Sequence, residues 1–382
     1  MSAILRTRPP LPAVRPLRVL IVDDSAVVRN LLARWIAAEP GLEVVGTAEN
    51  GQAALEGADR LRPDVVLLDL EMPVMSGTEA LRPLLAGRPG LFVIVVSTLT
   101  TRGAAVALRC LADGAFDYLT KPETQGAGTG TEAFRRDLIG KLHGLDEERR
   151  RRAAPPLPPR TAPKPAGPGS ADPRPADRKP ADVKLAGPRP ATILLGASTG
   201  GPQATIRVLS GLRGAAPLPP ILVVQHMPPI VTGVFAEHIR TETGLDAREA
   251  TDGEPITGDR VYVAPGGRHL RVSGTPGRPV VRLDDGDPVQ FCRPAVDHLF
   301  TDAAALFGPA VLAVVLTGMG QDGTAGARCV KGAGGTVIVQ DEGTSTVWGM
   351  PGSVAKSGLA DHVLPLGAVA GAVGHLLRRP RT

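Results

Sequence analysis

Short apolar runs rich in β-branched residues alternate with amphipathic stretches from Leu17 to Leu145, and the alternation resumes at Ala191. The runs predict buried strands, and apolar residues at helical spacing predict helices between them. The first half has predicted strands at Arg18–Val22, Leu42–Gly46, Val65–Leu68, Phe92–Val96 and Tyr118–Leu119. The second half has them at Thr192–Leu195, Ile221–Val224, Arg260–Val263, Val311–Leu316 and Thr336–Val339, with Pro279–Leu283 as an antiparallel addition. Each half is therefore predicted to be α/β, with a doubly wound parallel sheet covered by helices.

Between the halves, residues 147–190 contain a dozen prolines, no aromatic residue and no periodicity. Such a segment buries too little apolar surface to fold, and we interpret it as a semi-extended linker. Its 11 Lys/Arg against five Asp/Glu give an excess of +6, larger than the net charge of +5 of the whole chain. The folded parts are therefore near neutral, which argues against nucleic-acid binding. The predicted organisation is a disordered extension at 1–16, domains at 17–146 and 191–382, and this linker.

The remaining composition points to a reducing compartment. Three cysteines are few, odd in number and widely spaced, so neither a disulfide framework nor a CxxC metal site is indicated. Apolar runs stay below the ~18–20 residues that a membrane span needs. Arg and Pro interrupt the first ten residues, which differ from a signal peptide. We expect a cytoplasmic protein that does not insert into the membrane.

Acidic residues follow two predicted strands of the first half, with Asp23 and Asp24 after the first strand and Asp69 after the third. The carboxyl ends of parallel strands meet in the ligand crevice of an open sheet. Three carboxylates there repel one another unless a hard cation such as Mg²⁺ lies among them. Lys121 follows the fifth strand and offers a positive charge to an oxyanion, while Ser97 follows the fourth and offers a hydroxyl. Any one of them alone is an ordinary strand-end residue, but together they predict an anion site that depends on a cation.

This half resembles the receiver domain of bacterial two-component response regulators, a flavodoxin-like fold. The matching stretches are Val-Leu-Ile-Val-Asp-Asp-Ser, Leu-Leu-Asp-Leu-Glu-Met-Pro and Asp-Tyr-Leu-Thr-Lys-Pro. The resemblance implies that Asp69 accepts a phosphoryl group. It also implies a Mg²⁺ site made of four residues, namely Asp23, Asp24, Asp69 and the carbonyl of Glu71.

Further positions of the receiver carry over from the same resemblance. Ser97 and Tyr118 are the implied switch pair, and Lys121 is the implied contact of the phosphoryl group. One departure is Ser76, because the family usually carries an acidic residue at that position. It lies outside the acidic cluster, and we expect it to have little effect.

In the second half, Gly-Ala-Ser198-Thr-Gly follows a strand and opens a helical pattern, which matches the nucleophile turn G-x-S-x-G. A glycine-rich structural turn or a phosphate cradle is an alternative for this motif alone. A serine nucleophile needs a base, and His226 closes the next predicted strand, at the same sheet edge. The base needs an orienting acid, and Asp322 follows the apolar strand Val311–Leu316 on a Gly-rich loop. Taken alone, Asp322 is equally explained as a helix N-cap. Backbone N–H groups around Met319 are candidates for an oxyanion hole.

The order Ser, His, Asp differs from the Ser, Asp, His order of α/β-hydrolases and indicates a separate esterase lineage. The fold we expect for this domain is Rossmann-like. Gly-Ala-Ser-Thr-Gly-Gly-Pro, Gln-His-Met-Pro-Pro and Leu-Thr-Gly-Met-Gly-Gln-Asp-Gly resemble the chemotaxis protein-glutamate methylesterases of the CheB family. The resemblance implies Ser198 as nucleophile, His226 as base and Asp322 as its orienting acid. It also implies an oxyanion donor at the Met319 N–H and a role beside the nucleophile for Thr199. Gln203 and Cys292 depart from the family pattern.

The same resemblance implies what the protein acts on. Its substrates would be methyl-accepting chemoreceptors, from which it hydrolyses glutamate γ-methyl esters and deamidates glutamines. A chemotaxis histidine kinase would be the phosphodonor, and the esterase domain would need no cofactor. Two other classes are weighed against it. A non-catalytic adaptor does not need an intact triad, and a DNA-binding response regulator needs a helix-turn-helix, which the sequence after the linker lacks.

Overall fold

The computed structural model describes residues 15–98, 100–121, 129–153, 187–215 and 217–380. The chain divides into two compact units, Met1–Ile94 and Val95–Thr382. Most of the predicted extension at 1–16 lies outside the described residues, as does the part of the predicted linker between 154 and 186. The helix before that gap runs to Ala153, so the beginning of the predicted linker is helical.

Strands and helices alternate along the described chain. The strands are β1 Leu17–Val22, β2 Leu42–Ala48, β3 Val65–Asp69, β4 Phe92–Thr98, β5 Asp117–Lys121, β6 Thr192–Ala197, β7 Ile221–Gln225, β8 Asp246–Glu249, β9 Arg260–Val263, β10 His269–Thr275, β11 Arg278–Asp284, β12 Val311–Val315, β13 Thr336–Gln340 and β14 His362–Leu364. The helices are α1 Ala26–Ala37, α2 Gly51–Leu61, α3 Gly77–Ala86, α4 Thr101–Ala112, α5 Thr129–Ala153, α6 Gly201–Ser210, α7 Val231–Thr243, α8 Val296–Phe307, α9 Thr324–Gly332, α10 Met350–Lys356 and α11 Leu366–Leu377.

The first sheet has five strands in the order β2-β1-β3-β4-β5. β1 pairs in parallel with both β2 and β3, and its residues are almost fully buried because helices cover such a sheet on both faces. Side chains at the strand ends begin the helices that follow. Ser25 Oγ accepts from Val28 N and Asn50 Oδ1 accepts from Ala53 N, so both residues are N-caps.

The second sheet has seven strands, and all of its pairings are parallel. Their order is β14-β13-β12-β6-β7-β9-β8. β6 therefore lies in the interior, with β12 on one side and β7 on the other. The predicted antiparallel addition is confirmed: β10 and β11 form a separate two-stranded sheet, with Val272 paired to Val281.

The core of the second unit lies between this sheet and its helices. Phe300 of α8 is fully buried in a cluster with residues of β6, β12 and β13. Gly326 of α9 allows α9 to pack closely on α8, because a Cβ there would lie 2.5 Å from Phe300 Cβ. Within the described residues, no helix combines the length and the apolar character that crossing a membrane requires.

The α/β class with parallel sheets is confirmed, and every strand predicted from an apolar run is present. β8, β10 and β14 were not predicted, and β10 is the partner of the predicted antiparallel strand. β8 has the sequence Asp-Ala-Arg-Glu and β14 has three residues, and both lie at the edges of the sheet. Edge strands are half solvated and need no continuous apolar run, so the hydrophobic pattern misses them.

Replacing Phe300 with alanine removes a fully buried ring between α8 and the sheet. We expect the free energy of unfolding of the second unit to fall by about 3–5 kcal/mol, because the lost burial and the cavity both contribute. Urea denaturation followed by Trp348 fluorescence measures this change. Val363→Ala, at a position that is 48% exposed on β14, is the matched control and should change it by less than about 0.5 kcal/mol. Similar losses in the two variants would contradict this account of the core.

Candidate active site

The second sheet brings the three candidate triad residues to one edge. Ser198 follows β6, His226 follows β7 and Asp322 lies in the loop after β12. The chain leaves β6 toward β7, whereas β12 lies on the opposite side of β6, so the strand order reverses there. Crevices of this kind, at the carboxyl ends of parallel strands, are where open α/β sheets bind ligands.

The Ser198 turn is held tightly to its neighbours. Ser198 N donates to Thr317 O at 3.0 Å, and Gly201 N donates back to Ser198 O at 2.7 Å. Gly200 adopts φ +74°, a left-handed conformation in which glycine pays no steric penalty. A Cβ at Gly318 would lie 2.9 Å from Ser198 Cβ, so a glycine is needed where the β12 loop passes Ser198. Ser198 remains partly exposed at the crevice.

His226 and Asp322 form the central contact of the site. His226 Nε2 lies 2.8 Å from Asp322 Oδ2. The same carboxylate accepts from the backbone N–H of Val296 at 2.7 Å and from those of Asp297 and Gly323, each at 2.9 Å. Asp322 is buried, with a side chain only 2% exposed, while the His226 side chain is 12% exposed. A buried carboxylate with four donors is held in its ionised form.

The pKa shifts follow from these contacts. Burial raises the pKa of Asp322. The hydrogen bond and charge of His226, together with the backbone N–H groups, lower this pKa by more than burial raises it, so the net shift is downward. Burial lowers the pKa of His226, but Cys292 and Asp322 raise it to about 10. Asp322 therefore stabilises the imidazolium that forms when the histidine takes a proton.

The remaining nitrogen of His226 contacts a residue to which the sequence assigned no role at the triad. Cys292 Sγ lies 3.5 Å from His226 Nδ1. Within the described part of the chain, Ser198 Oγ makes no hydrogen bond to His226. Catalytic hydrogen bonds are often loose in unliganded enzymes and tighten when substrate binds. The sequence marks Cys292 only as a departure from the family pattern, and its contact with a residue 66 positions away depends on the folded loop.

Thr199 and Met319 flank this site. Thr199 is buried, and its hydroxyl donates to Asp117 Oδ2 at 2.6 Å. Met319 lies in the β12 loop directly after Gly318, whose N–H donates to Val347 O. Gln340, fully buried, fixes this loop because its Oε1 accepts from Thr317 N at 2.8 Å. Asp117 and Gln340 are contacts that sequence reasoning missed.

The first unit contains the predicted acidic cluster. One oxygen from each of Asp23, Asp24 and Asp69 lies within 4.8 Å of the other two. Asp23 and Asp69 are buried and Asp24 is exposed, and Glu71 lies two residues beyond Asp69 in the following loop. Three carboxylates are the hard oxygen donors that Mg²⁺ prefers, so the donor set fits this metal. Ser76 has a local function in the fold: with Glu79 it forms a capping box that begins α3.

The other receiver residues lie on the last two strands of their sheet. Ser97 is buried on β4, and Lys121 ends β5. Tyr118 is buried on β5, with Lys141 Nζ 5.1 Å from its ring centroid. The Tyr118 hydroxyl has no hydrogen-bond partner among the described residues, and burial raises its pKa well above the ordinary value of a tyrosine.

Each half of the chain matches a known protein domain family. Residues 19–129 match the response regulator receiver domain, and residues 193–373 match the CheB methylesterase domain. A protein-glutamate methylesterase/protein-glutamine glutaminase of Rhodopseudomonas palustris (strain HaA2) is 43% identical over 377 residues, 97% of each chain. The chain belongs to the CheB methylesterase family. Another relative, from Caulobacter vibrioides, is 48% identical over 353 residues, 92% of this chain and 96% of its own.

Two solved structures of CheB from Thermotoga maritima match separate halves of the chain. Its methylesterase catalytic domain is 40% identical and covers 50% of this chain and 100% of its own, with a TM-score of 0.47. Its response regulator domain is also 40% identical and covers 35% and 98%, with a TM-score of 0.32.

Replacing Asp322 with asparagine leaves the shape of the side chain but removes an acceptor and the negative charge. Because His226 then lacks its orienting partner, we expect kcat for a small chromogenic ester to fall by about 10³–10⁴. Steady-state kinetics measure this loss. Asp297→Asn is the control, since Asp297 Oδ1 accepts from Gly326 N at 2.7 Å and its carboxylate makes no hydrogen bond to His226. If that variant lost kcat to the same extent, the effect would be structural.

Proposed function

We propose that Ser198, His226 and Asp322 hydrolyse glutamate γ-methyl esters on methyl-accepting chemoreceptors and deamidate receptor glutamines. The His226–Asp322 contact beside Ser198 carries this proposal. Ser198 Oγ attacks the carbonyl carbon while His226 Nδ1 takes its proton and Asp322 stabilises the imidazolium. The same proton then goes to the leaving group, methanol from an ester or ammonia from an amide. Water hydrolyses the acyl-enzyme by the reverse proton path.

The oxyanion of each tetrahedral intermediate needs fixed donors. We place the Met319 N–H in this role because the β12 loop passes directly over the Ser198 turn, as the close approach of Gly318 to Ser198 indicates. Thr199 lies beside the nucleophile on the same turn. The names of the curated relatives, which act on protein glutamate esters and glutamines, agree with this substrate class.

Phosphorylation of Asp69 is the proposed control, with a chemotaxis histidine kinase as phosphodonor. Asp23, Asp24, Asp69 and the Glu71 carbonyl would hold Mg²⁺, which neutralises charge on the transferring phosphoryl group. Ser97 and Tyr118 would respond as the switch pair, and Lys121 would contact the phosphoryl oxygens. The three cysteines are free thiols, which suits the reducing cytoplasm where we place the reaction.

Within the second unit, β5 and α5 contact the candidate active site. Asp117 Oδ2 accepts from Thr199 Oγ1 at 2.6 Å and from Lys141 Nζ at 3.1 Å. Gly144 of α5 faces Met319, because a Cβ at Gly144 would lie 2.2 Å from Met319 Sδ. We infer that these elements restrict the Ser198 crevice in the unphosphorylated protein and that phosphorylation loosens them.

Ser198→Ala tests the enzymatic proposal directly. The variant lacks the nucleophile, so we expect methanol release from methylated receptor membranes to fall by at least about 10³. Ser210→Ala, at the end of α6, is the matched control and should keep the wild-type rate. Equal methanol release by Ser198→Ala and wild type would refute the enzyme and favour an adaptor.

Asp117→Ala tests the proposed restriction. We expect methanol release without a phosphodonor to rise about tenfold, since a buried charged hydrogen bond to Thr199 is lost. The Asp69→Asn background removes the phosphoacceptor, and the rise should persist there while the response to acetyl phosphate disappears. Asp137→Ala is the control, because Asp137 Oδ1 lies 3.8 Å from the same Lys141 Nζ but makes no hydrogen bond to Thr199. No rise, or an equal rise in the control, would show that the Asp117 contact does not restrain the site.

A further inference from the structure

Cys292 contacts Nδ1 of His226, the ring nitrogen that the proposed mechanism uses as the base. His226 Nε2 is engaged by Asp322, so Nδ1 carries the lone pair that must accept the Ser198 proton. Cys292 Sγ lies 3.5 Å from Nδ1, and its thiol donates to Gln290 O at 3.6 Å, so the sulfur faces Nδ1 as a hydrogen-bond acceptor. A sulfur that favours the proton on Nδ1 therefore opposes transfer of the Ser198 proton to the same nitrogen.

The turn that carries Cys292 is fixed by the fold. Gln290 and Phe291 adopt φ +50° and +67°, a left-handed conformation that is strained for non-glycine residues. Val289 and Cys292 exchange two backbone hydrogen bonds, of 2.9 and 3.1 Å, across these two residues. Strain of this kind persists only where the surroundings determine the conformation, so the sulfur is held in place beside the ring.

A buried histidine anchors both ends of the same segment. His269 is fully buried, and its Nε2 lies 3.1 Å from Asp287 O. Its Nδ1 accepts from Ala295 N at 3.2 Å. Ala295 directly precedes α8, whose first amide, that of Val296, donates to Asp322. The C-terminal end of the segment from Asp287 to Ala295 therefore lies next to Asp322.

We propose that Cys292 is a positioning residue that engages His226 Nδ1 in competition with Ser198 and so restrains the catalytic base. This inference rests on the proposed roles of Ser198 and His226. Among the described residues, the ionisable groups in contact with the ring are Cys292 at Nδ1 and Asp322 at Nε2, and Asp137 of α5 interacts with His226 through its charge.

Removing the Cys292 thiol should shift the pH profile of kcat/KM in one direction. The Cys292 sulfur can accept from Nδ1–H of the protonated ring, so it stabilises the imidazolium and raises the pKa of His226, and a protonated imidazole cannot take a proton from Ser198. Without Cys292 the pKa of His226 falls, so the base is neutral at lower pH. The acidic limb of kcat/KM therefore moves to lower pH.

The test measures methanol release by full-length protein, activated with acetyl phosphate, as a function of pH. For Cys292→Ala we expect the acidic limb to move down by at least about half a pH unit, with about threefold higher kcat/KM on that limb. Cys292→Ser retains an oxygen that can accept from Nδ1–H and should give a smaller change. A Cys292→Ala limb at the wild-type pH, with Ser198→Ala inactive, would overturn the inference. Activity in Ser198→Ala would instead overturn the proposed function.

Alkylation gives a second measurement, in which the thiol of the wild-type protein is modified directly. Iodoacetamide forms an S–C bond at the sulfur and releases iodide, and the thiol proton passes to the buffer. The added group blocks Nδ1, so wild type should lose methanol release while Cys292→Ala keeps it. Cys329→Ala is the matched control, because Cys329 is exposed on α9, and this variant should be inactivated as fast as wild type. Inactivation of Cys292→Ala at the wild-type rate would contradict the proposal.

Discussion

The Asp322 carboxylate joins the chemistry of the second unit to its folding. It accepts from His226 at the end of β7, from two amides at the start of α8 and from the amide of Gly323. A buried carboxylate is tolerated only when its lone pairs are satisfied, and here the donors come from three separate segments. The orientation of the His226 ring and the docking of α8 therefore depend on the same charge. Sequence reasoning could explain Asp322 as a helix cap or as a catalytic acid, and the geometry shows it contacting helix amides and the histidine together.

The parts that the sequence predicted are those that local patterns encode. Apolar runs mark interior strands because both faces are buried, and residues after such strands converge at one edge by topology. From this topology the sequence analysis predicted that Ser198, His226 and Asp322 lie at one sheet edge, and that Asp23 and Asp69 lie at one edge of the other sheet. Contacts made by long loops follow no such rule. Cys292 reaches His226 through a turn with two left-handed residues, and neither the turn nor its direction is visible in the hydrophobic pattern.

The boundary between compact units also differs from the boundary that sequence similarity gives. The receiver domain match extends to residue 129, yet Val95 and all that follows belong to the second unit. α4 packs against α6 and α7, and β5 reaches Thr199 through Asp117. Composition predicts a linker between two domains, but it carries no information on whether helices before the linker pack on the domain after it. That packing depends on side chains such as Asp117, whose partner is 82 residues away.

The chemistry of this packing suits reversible control. A buried apolar contact loses stability gradually as its area shrinks, but a buried carboxylate such as Asp117 must be either fully paired or returned to water. Its partners are Thr199 Oγ1, Lys141 Nζ and the Tyr118 N–H, so partial opening leaves a charge unsatisfied at a cost of several kcal/mol. Intermediate openings are therefore disfavoured relative to the closed and the fully hydrated states. An element with two such states is what a phosphorylation signal needs, because a modest change in free energy then changes the populations instead of deforming the site.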